Sequence, residues 1–193
     1  MPNSIQPDPV LAQHSAAIEQ RLVEAVNGLT TEDLEQLLGA VGREMVSVTI
    51  AALQADSASI WLADAARTKL VVCHSEPNNG LLEREQPLNE GLISLVLGSE
   101  KSICQNQVYK NAQHSKRIDS ELAQITCSMI AAPFYAGGQL RGVLSCVKLK
   151  DSLEAPDPPI FTAANLSRIT RLSSAMERLL NYRILTRILD LEI

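Results

Sequence analysis

The chain has 193 residues, 46% of them apolar and 3% aromatic, with a formal charge of -5. That is enough for one domain with extra helices around an aliphatic core, and too little π-surface to stack bases or sugars. The negative balance argues against general nucleic-acid binding; no apolar run reaches the roughly 20 residues of a membrane span and no signal-peptide segment opens the chain, so a cytoplasmic address is expected.

In chain order, residues 1–9 carry prolines without periodicity and read as a flexible tail. A helix should run from about Val10 to Asn27, with Leu11, Ile18, Leu22 and Val26 on one stripe and Gly28 at its end. Thr30 or Thr31 then caps a second helix whose acidic first turn suits the positive end of the dipole. Leu34, Leu37, Leu38, Val41, Met45, Val48 and Ala52 keep its 3.6-residue period. From Ser57 the pattern changes to strands over Ser59–Leu62 and Leu70–Cys73, closed by Pro77-Asn78-Asn79-Gly80.

A short helix is expected over Asn89–Leu97 with Gly98 beyond its end, then a short strand over Ser102–Gln105. A polar, short-helical stretch follows. It feeds a hairpin in which Met129–Tyr135 and Gly142–Leu149 flank a Gly137-Gly138 turn. Asp151–Pro159 is a proline-bearing loop. The last helix starts at Thr162 and could continue to the terminus on the stripe Leu166, Ile169, Leu172, Met176, Leu179, Leu180, Ile184, Ile188 and Leu191. At about 1.5 Å per residue it would exceed roughly 40 Å, so its far end needs a partner, either a second copy or the first two helices of the same chain. This order describes an α+β fold, one central antiparallel sheet flanked by N-terminal helices and a long C-terminal helix.

Cys73, Cys104, Cys127 and Cys146 are scattered through apolar segments without C-x-x-C or Cys/His ligand spacing, and read as small core hydrophobes. His114 stands without a second histidine or a carboxylate at ligand spacing, so no metal is expected there.

The stretch VYKNAQHSKRIDSELAQITCSMIAAPF followed by GQLRGVLSCVKL resembles the GAF domain, a relative of PAS. Tyr109, Asn111, Ile118, Asp119, Thr126, Ile130 and Pro133 fall in step with the pattern found in GAF domains of cyclic-nucleotide phosphodiesterases and adenylyl cyclases. Gly142-Val143, Phe161-Thr162 and the glycine-led Gly91-Leu92-Ile93 extend the resemblance, which implies a tail over 1–9, a linker or dimerisation helix over 10–30, a GAF domain over 31–180 and a helical extension over 181–193. It also implies a non-enzymatic sensory domain with a small-molecule pocket over the sheet, no cofactor, and an output domain or partner protein; alternatives are a ligand-free dimerisation scaffold and a cyclic-nucleotide-binding domain.

By that resemblance the ligand contacts fall on Ser59, Glu76, Leu92, Ile93, Asp119 and Thr126, with Tyr109, His114 and Ser145 beside them. Ser115, Leu122 and Ser145 depart from the aromatic, threonine and carboxylate of the cyclic-nucleotide pattern, and Lys148-Leu149 and Asn165 replace its Asn-Lys pair and aspartate. Family bilin sites imply a Cys-His pair near the pocket helix, whereas Cys73-His74 sits on the second strand. Family sulfoxide reductases imply clustered reactive cysteines, for which Cys104 and Cys127 are the candidates. A homodimer is expected through the terminal helices, with Leu22, Leu34, Leu38, Ile169, Leu172, Met176, Leu180 and Ile184 at the interface. Acidic residues on the first two helices and arginines on the last supply opposite charge.

Overall fold

A computed structural model describes residues 9–78 and 80–189, with the side chains of residues 9–13 left aside. Helix α1 (Pro9–Asn27) leads into α2 (Thr31–Leu53). A capping box starts α2: the Asp33 amide donates to Thr30 Oγ1, and the Thr30 amide to the Asp33 carboxylate, each at 3.1 Å. Sequence periodicity predicts one continuous helix here, yet α2 bends at Gly39, where φ is 52° and ψ is -161°. Arg183 Nη1 donates to Leu37 O at 2.7 Å across the bend, and a Cβ on Gly39 would sit 2.5 Å from that nitrogen. Only glycine accepts both the left-handed φ and the guanidinium beside it.

The sheet comprises β1 (Ser57–Ala63), β2 (Lys69–Glu76), β3 (Glu85–Pro87), β4 (Ile103–Asn106), β5 (Ile125–Ala136) and β6 (Gln139–Lys150). They lie in the order β3-β2-β1-β6-β5-β4, antiparallel throughout. The β5–β6 hairpin turns at Gly137-Gly138 as its sequence predicts. Strand β3 has no counterpart in the sequence reading, because three residues are too few to show alternation. Helix α3 (Gly91–Ser99) runs through Gly98 and ends at a left-handed Glu100, two residues later than the glycine suggested. The polar stretch folds as a single 3₁₀ turn, Val108–Lys110, and a short α4 (Arg117–Glu121).

Strand alternation divides the apolar residues between two faces. Helices α1, α2 and α5 (Ala163–Ile188) cover one face, burying Ile60, Leu62, Ile130, Phe134, Leu144 and Cys146. Helices α3 and α4 cover the other, over Trp61, Val72, Met129, Ala131 and Val143. The residues expected at a dimer interface lie in the first of these layers. Leu34, Leu38, Ile169, Leu172, Met176, Leu180 and Ile184 are buried within the single chain, and Leu22 packs half-buried against them. Within the chain the α5 stripe packs on β5 and on α2. Leu191 and the rest of 190–193, like the tail at 1–8, fall outside the described residues. Helix α2 is long and apolar enough to cross a membrane by length and composition, with a mean hydropathy of 1.2, but its buried residues belong to this helix layer.

Candidate functional site

Between the second face of the sheet and α3/α4 lies an internal cavity of about 50 Å³. Its floor follows from period-two geometry. Ser57, Ser59 and Trp61 of β1 point into it while Ala58, Ile60 and Leu62 point to the helix layer. Ser59 is the cross-strand partner of Ser145 on β6, and their hydroxyl oxygens are 2.9 Å apart. Trp61 Nε1 donates to Ser59 Oγ, also at 2.9 Å. Leu92 and Ile93 of α3 and Met129 of β5 supply apolar walls.

The roof is held by one carboxylate. Asp119 on α4 accepts from the Thr126 amide (3.0 Å), from Thr126 Oγ1 (2.7 Å) and from Gln124 Nε2 (3.4 Å), and faces His114 Nε2 at 3.1 Å. Burial is the largest influence on its carboxyl and would raise its pKa. The hydrogen bonds from His114 and Thr126, with the attraction of His114, outweigh burial and leave Asp119 below its ordinary range. An ionised Asp119 requires the proton of His114 to sit on Nε2. The cluster ties α4 to the start of β5.

Seven of the nine expected ligand residues line this cavity: Ser59, Leu92, Ile93, His114, Asp119, Thr126 and Ser145. Glu76 does not; it pairs with Ala58 at the end of β2, half-buried. Tyr109 does not either. Its ring lies 4.6 Å from Lys150 Nζ and its hydroxyl donates to Asp157 at 3.1 Å, latching the 151–159 loop beside a shallower pocket of about 190 Å³ that also touches His114 and Asp119. The sequence reading missed Ser57, Trp61, Gln86, Gln124 and Met129. Alternation outward from Ser59 would have found Ser57 and Trp61, whereas Gln86 comes from the cryptic β3.

Outside the cavity, an open cleft of about 700 Å³ runs along α3, bordered by Leu88, Glu90, Ser94 and the 112–115 segment. His114 and Ser115 line both spaces, so they form the partition between them. Gly91 makes the partition tight. Its φ is +74°, and a Cβ there would stand 3.0 Å from Ser115 Cβ and 3.1 Å from Gln86 Nε2.

None of the four cysteines lines the cavity, and burial pushes each thiol up, Cys146 to about 12. That direction opposes thiolate chemistry. Cys73 and His74 both lie on β2 against the helix layer, where His74 Nδ1 meets the Glu35 carboxylate at 2.5 Å. Among the described residues no three His, Cys, Asp or Glu side chains group as a metal site.

A six-stranded antiparallel sheet, with terminal helices on one face and a small roofed cavity on the other, defines a class of regulatory α+β domain. The family model for the GAF domain matches residues 31–181, and this chain belongs to that family. The solved GAF domain of a phosphoenolpyruvate-protein phosphotransferase from Coxiella burnetii superposes with a TM-score of 0.60 at 18% identity, over 93% of this chain and 98% of that one. Its Acinetobacter counterpart gives 0.58 at 18%, over 91% and 96%. Free methionine-R-sulfoxide reductase from Neisseria meningitidis, solved with its substrate, gives 0.57 at 15%, over 92% and 95%. At these identities the neighbours show the fold. No curated protein matches this chain.

Proposed function

We propose that this GAF domain is a sensory module. It binds a small molecule in the cavity over the sheet and passes its occupancy through the terminal helices to a second copy of the chain. The observation that carries this reading is the roofed cavity itself: a polar floor set in an apolar face, with His114 and Ser115 lining both it and a large open cleft beyond. A stable fold has no need of buried hydroxyls there, since Val or Ala would fill the same strand positions without a polar group to satisfy. Mass spectrometry of what co-purifies, followed by melting with that compound, tests it. A ligand of this site raises the melting temperature with concentration, and Ser59→Val abolishes the rise. Absence of any stabilising compound would leave the chain as a scaffold.

Cyclic nucleotides are a poor fit. No Lys or Arg lines the cavity to balance the charge of the cyclic phosphate. Calorimetry with cAMP or cGMP is expected to show no binding below ~10 μM, where the affinity would be ~7 kcal/mol. The thiol-enzyme reading is tested by NADPH-coupled turnover of methionine sulfoxide with thioredoxin; no turnover is expected, consistent with thiols raised by burial.

Seven of the eight expected interface residues are buried within the chain and Leu22 is half-buried, so we place the dimer seam on the outer side of α2. Val41 and Val48 are 54% and 56% exposed and lie two turns apart with Glu44 between them, while Arg168, Arg171 and Arg178 of α5 are exposed and complementary in charge. Light scattering should find a dimer that Val41→Glu/Val48→Glu converts to monomer.

A further inference from the structure

Three serines stand on the cavity face of the two central strands, where their neighbours Trp61, Val143 and Val147 are apolar. Ser57, Ser59 and Ser145 are all at least 95% buried. Their protons can be counted. Trp61 spends its indole hydrogen on Ser59 Oγ. One hydroxyl proton is shared between Ser59 and Ser145. If Ser59 donates, the Ser145 proton is unspent; if Ser145 donates, the Ser59 proton is. The Ser57 hydroxyl has no hydrogen-bond partner among the described residues and contributes a second unspent proton. Two donors therefore face the cavity whichever way the pair is oriented.

The acceptor side is equally restricted. The Asp119 oxygens are occupied by His114, Gln124 and both donors of Thr126, so none is left to accept from a ligand cation. No Lys or Arg is present to balance an anion. Gln86 spends its amide hydrogens on Glu90 O (2.5 Å) and Ser94 Oγ (3.2 Å), leaving Oε1 without a donor among the described residues. An anion brought into this space would lose its hydration and meet the ionised Asp119 with no counterion, and a cation would lose its hydration with no carboxylate oxygen free to hydrogen-bond it.

We propose that the buried end of the ligand is an uncharged carbonyl or amide group. Its oxygen accepts from the serine floor and any N–H it carries donates to Gln86 Oε1; this rests on the ligand-site reading above and narrows it. Two hydroxyl donors match the two lone pairs of one carbonyl oxygen. A volume of about 50 Å³ suits such a terminal group, and the rest of the molecule passes the His114–Ser115 partition into the cleft beyond.

Trp61 is the one tryptophan in the chain, so its indole N–H gives a single resonance that reports directly from the floor. In a ¹H–¹⁵N titration of the full chain, acetamide is expected to shift that resonance saturably at about millimolar concentration, while acetate and ethylammonium of similar size produce no saturable shift. Ser57→Ala should weaken acetamide about five- to tenfold, the loss of one hydrogen bond, whereas Ser145→Ala frees the Ser59 proton and keeps two donors. Ser57→Cys, close in shape and a much weaker donor, gives the same reading if Ser57→Ala does not fold. Acetate or ethylammonium matching acetamide, or Ser57 variants that bind it unchanged, would overturn the neutral-carbonyl class and leave the ligand site standing. No response to any of the three probes would remove both.

Discussion

The two faces of the sheet are built from the same strands by opposite rules. On the helix face Ile60, Ile130, Phe134 and Leu144 are completely buried and nearly all their neighbours are aliphatic. On the cavity face the positions opposite them, Ser59, Trp61, Ser145 and Met129, mix hydroxyls with apolar groups and leave a void. Close packing and a cavity cannot share a face, because interiors at crystal-like density leave no room for a guest. The chain therefore packs without a void where α2 and α5 lie and leaves its buried void on the other face.

The largest test of that division is Phe134→Ala. The ring is fully buried and cannot be replaced by a neighbour's movement, so urea unfolding should show a loss of about 3–5 kcal/mol. Ser145→Ala removes one hydroxyl at an equally buried position on the other face, and its stability should change by roughly 1 kcal/mol or less, because its partner Ser59 keeps the Trp61 bond. Equal losses at the two positions would erase the distinction.

Next in size is Asp119→Asn. Asparagine retains one acceptor oxygen but places an NH₂ against the donors of Thr126, and a loss of about 1–3 kcal/mol is expected. The same residue gives the comparison a pH signature. Its carboxyl is held below its unfolded value of 3.8, so the unfolded chain takes up the proton first. The stabilisation is fully present above the ordinary carboxylate range and is lost as pH falls through the lowered value. Asp157, held at about 2 chiefly by the hydrogen bond from Lys150, acts with the same sign between 3.8 and about 2. Melting temperatures recorded from neutral pH downwards should fall more gently below pH 4 in Asp119→Asn than in the parent. A parallel pair of curves would show that the carboxylate contributes nothing to holding the roof.

Much of this was legible in the chain, and the residues show why. The hairpin, the capped start of α2 and the long last helix announce themselves through local pattern, and the Asn111–Pro133 stretch carries the family resemblance together with Asp119 and Thr126. What stayed hidden depends on contacts between distant segments. The bend at Gly39 exists because Arg183 reaches it from α5, and β3 exists because Lys69–Val71 offers it an edge. The apolar stripe of α5 was legible, but its partner was not: periodicity shows that Met176 and Leu180 need cover, and only the fold shows that the same chain provides it.

The smallest effect belongs to the first turn of α5, and it separates the faces most cleanly. Thr162 and Asn165 form a capping box, with the Thr162 amide donating to Asn165 Oδ1 at 2.8 Å and the Asn165 amide to Thr162 Oγ1 at 3.4 Å. Thr162→Ala leaves the Asn165 amide without its side-chain acceptor, which costs about 1 kcal/mol at a helix start. Neither residue touches the cavity, and both precede the apolar stripe that seals the helix face. Urea unfolding should therefore register the loss while the Trp61 indole resonance and its acetamide response stay as in the parent. If that resonance moves with the cap, the start of α5 is coupled through the sheet to the serine floor, and the two faces are one mechanical unit.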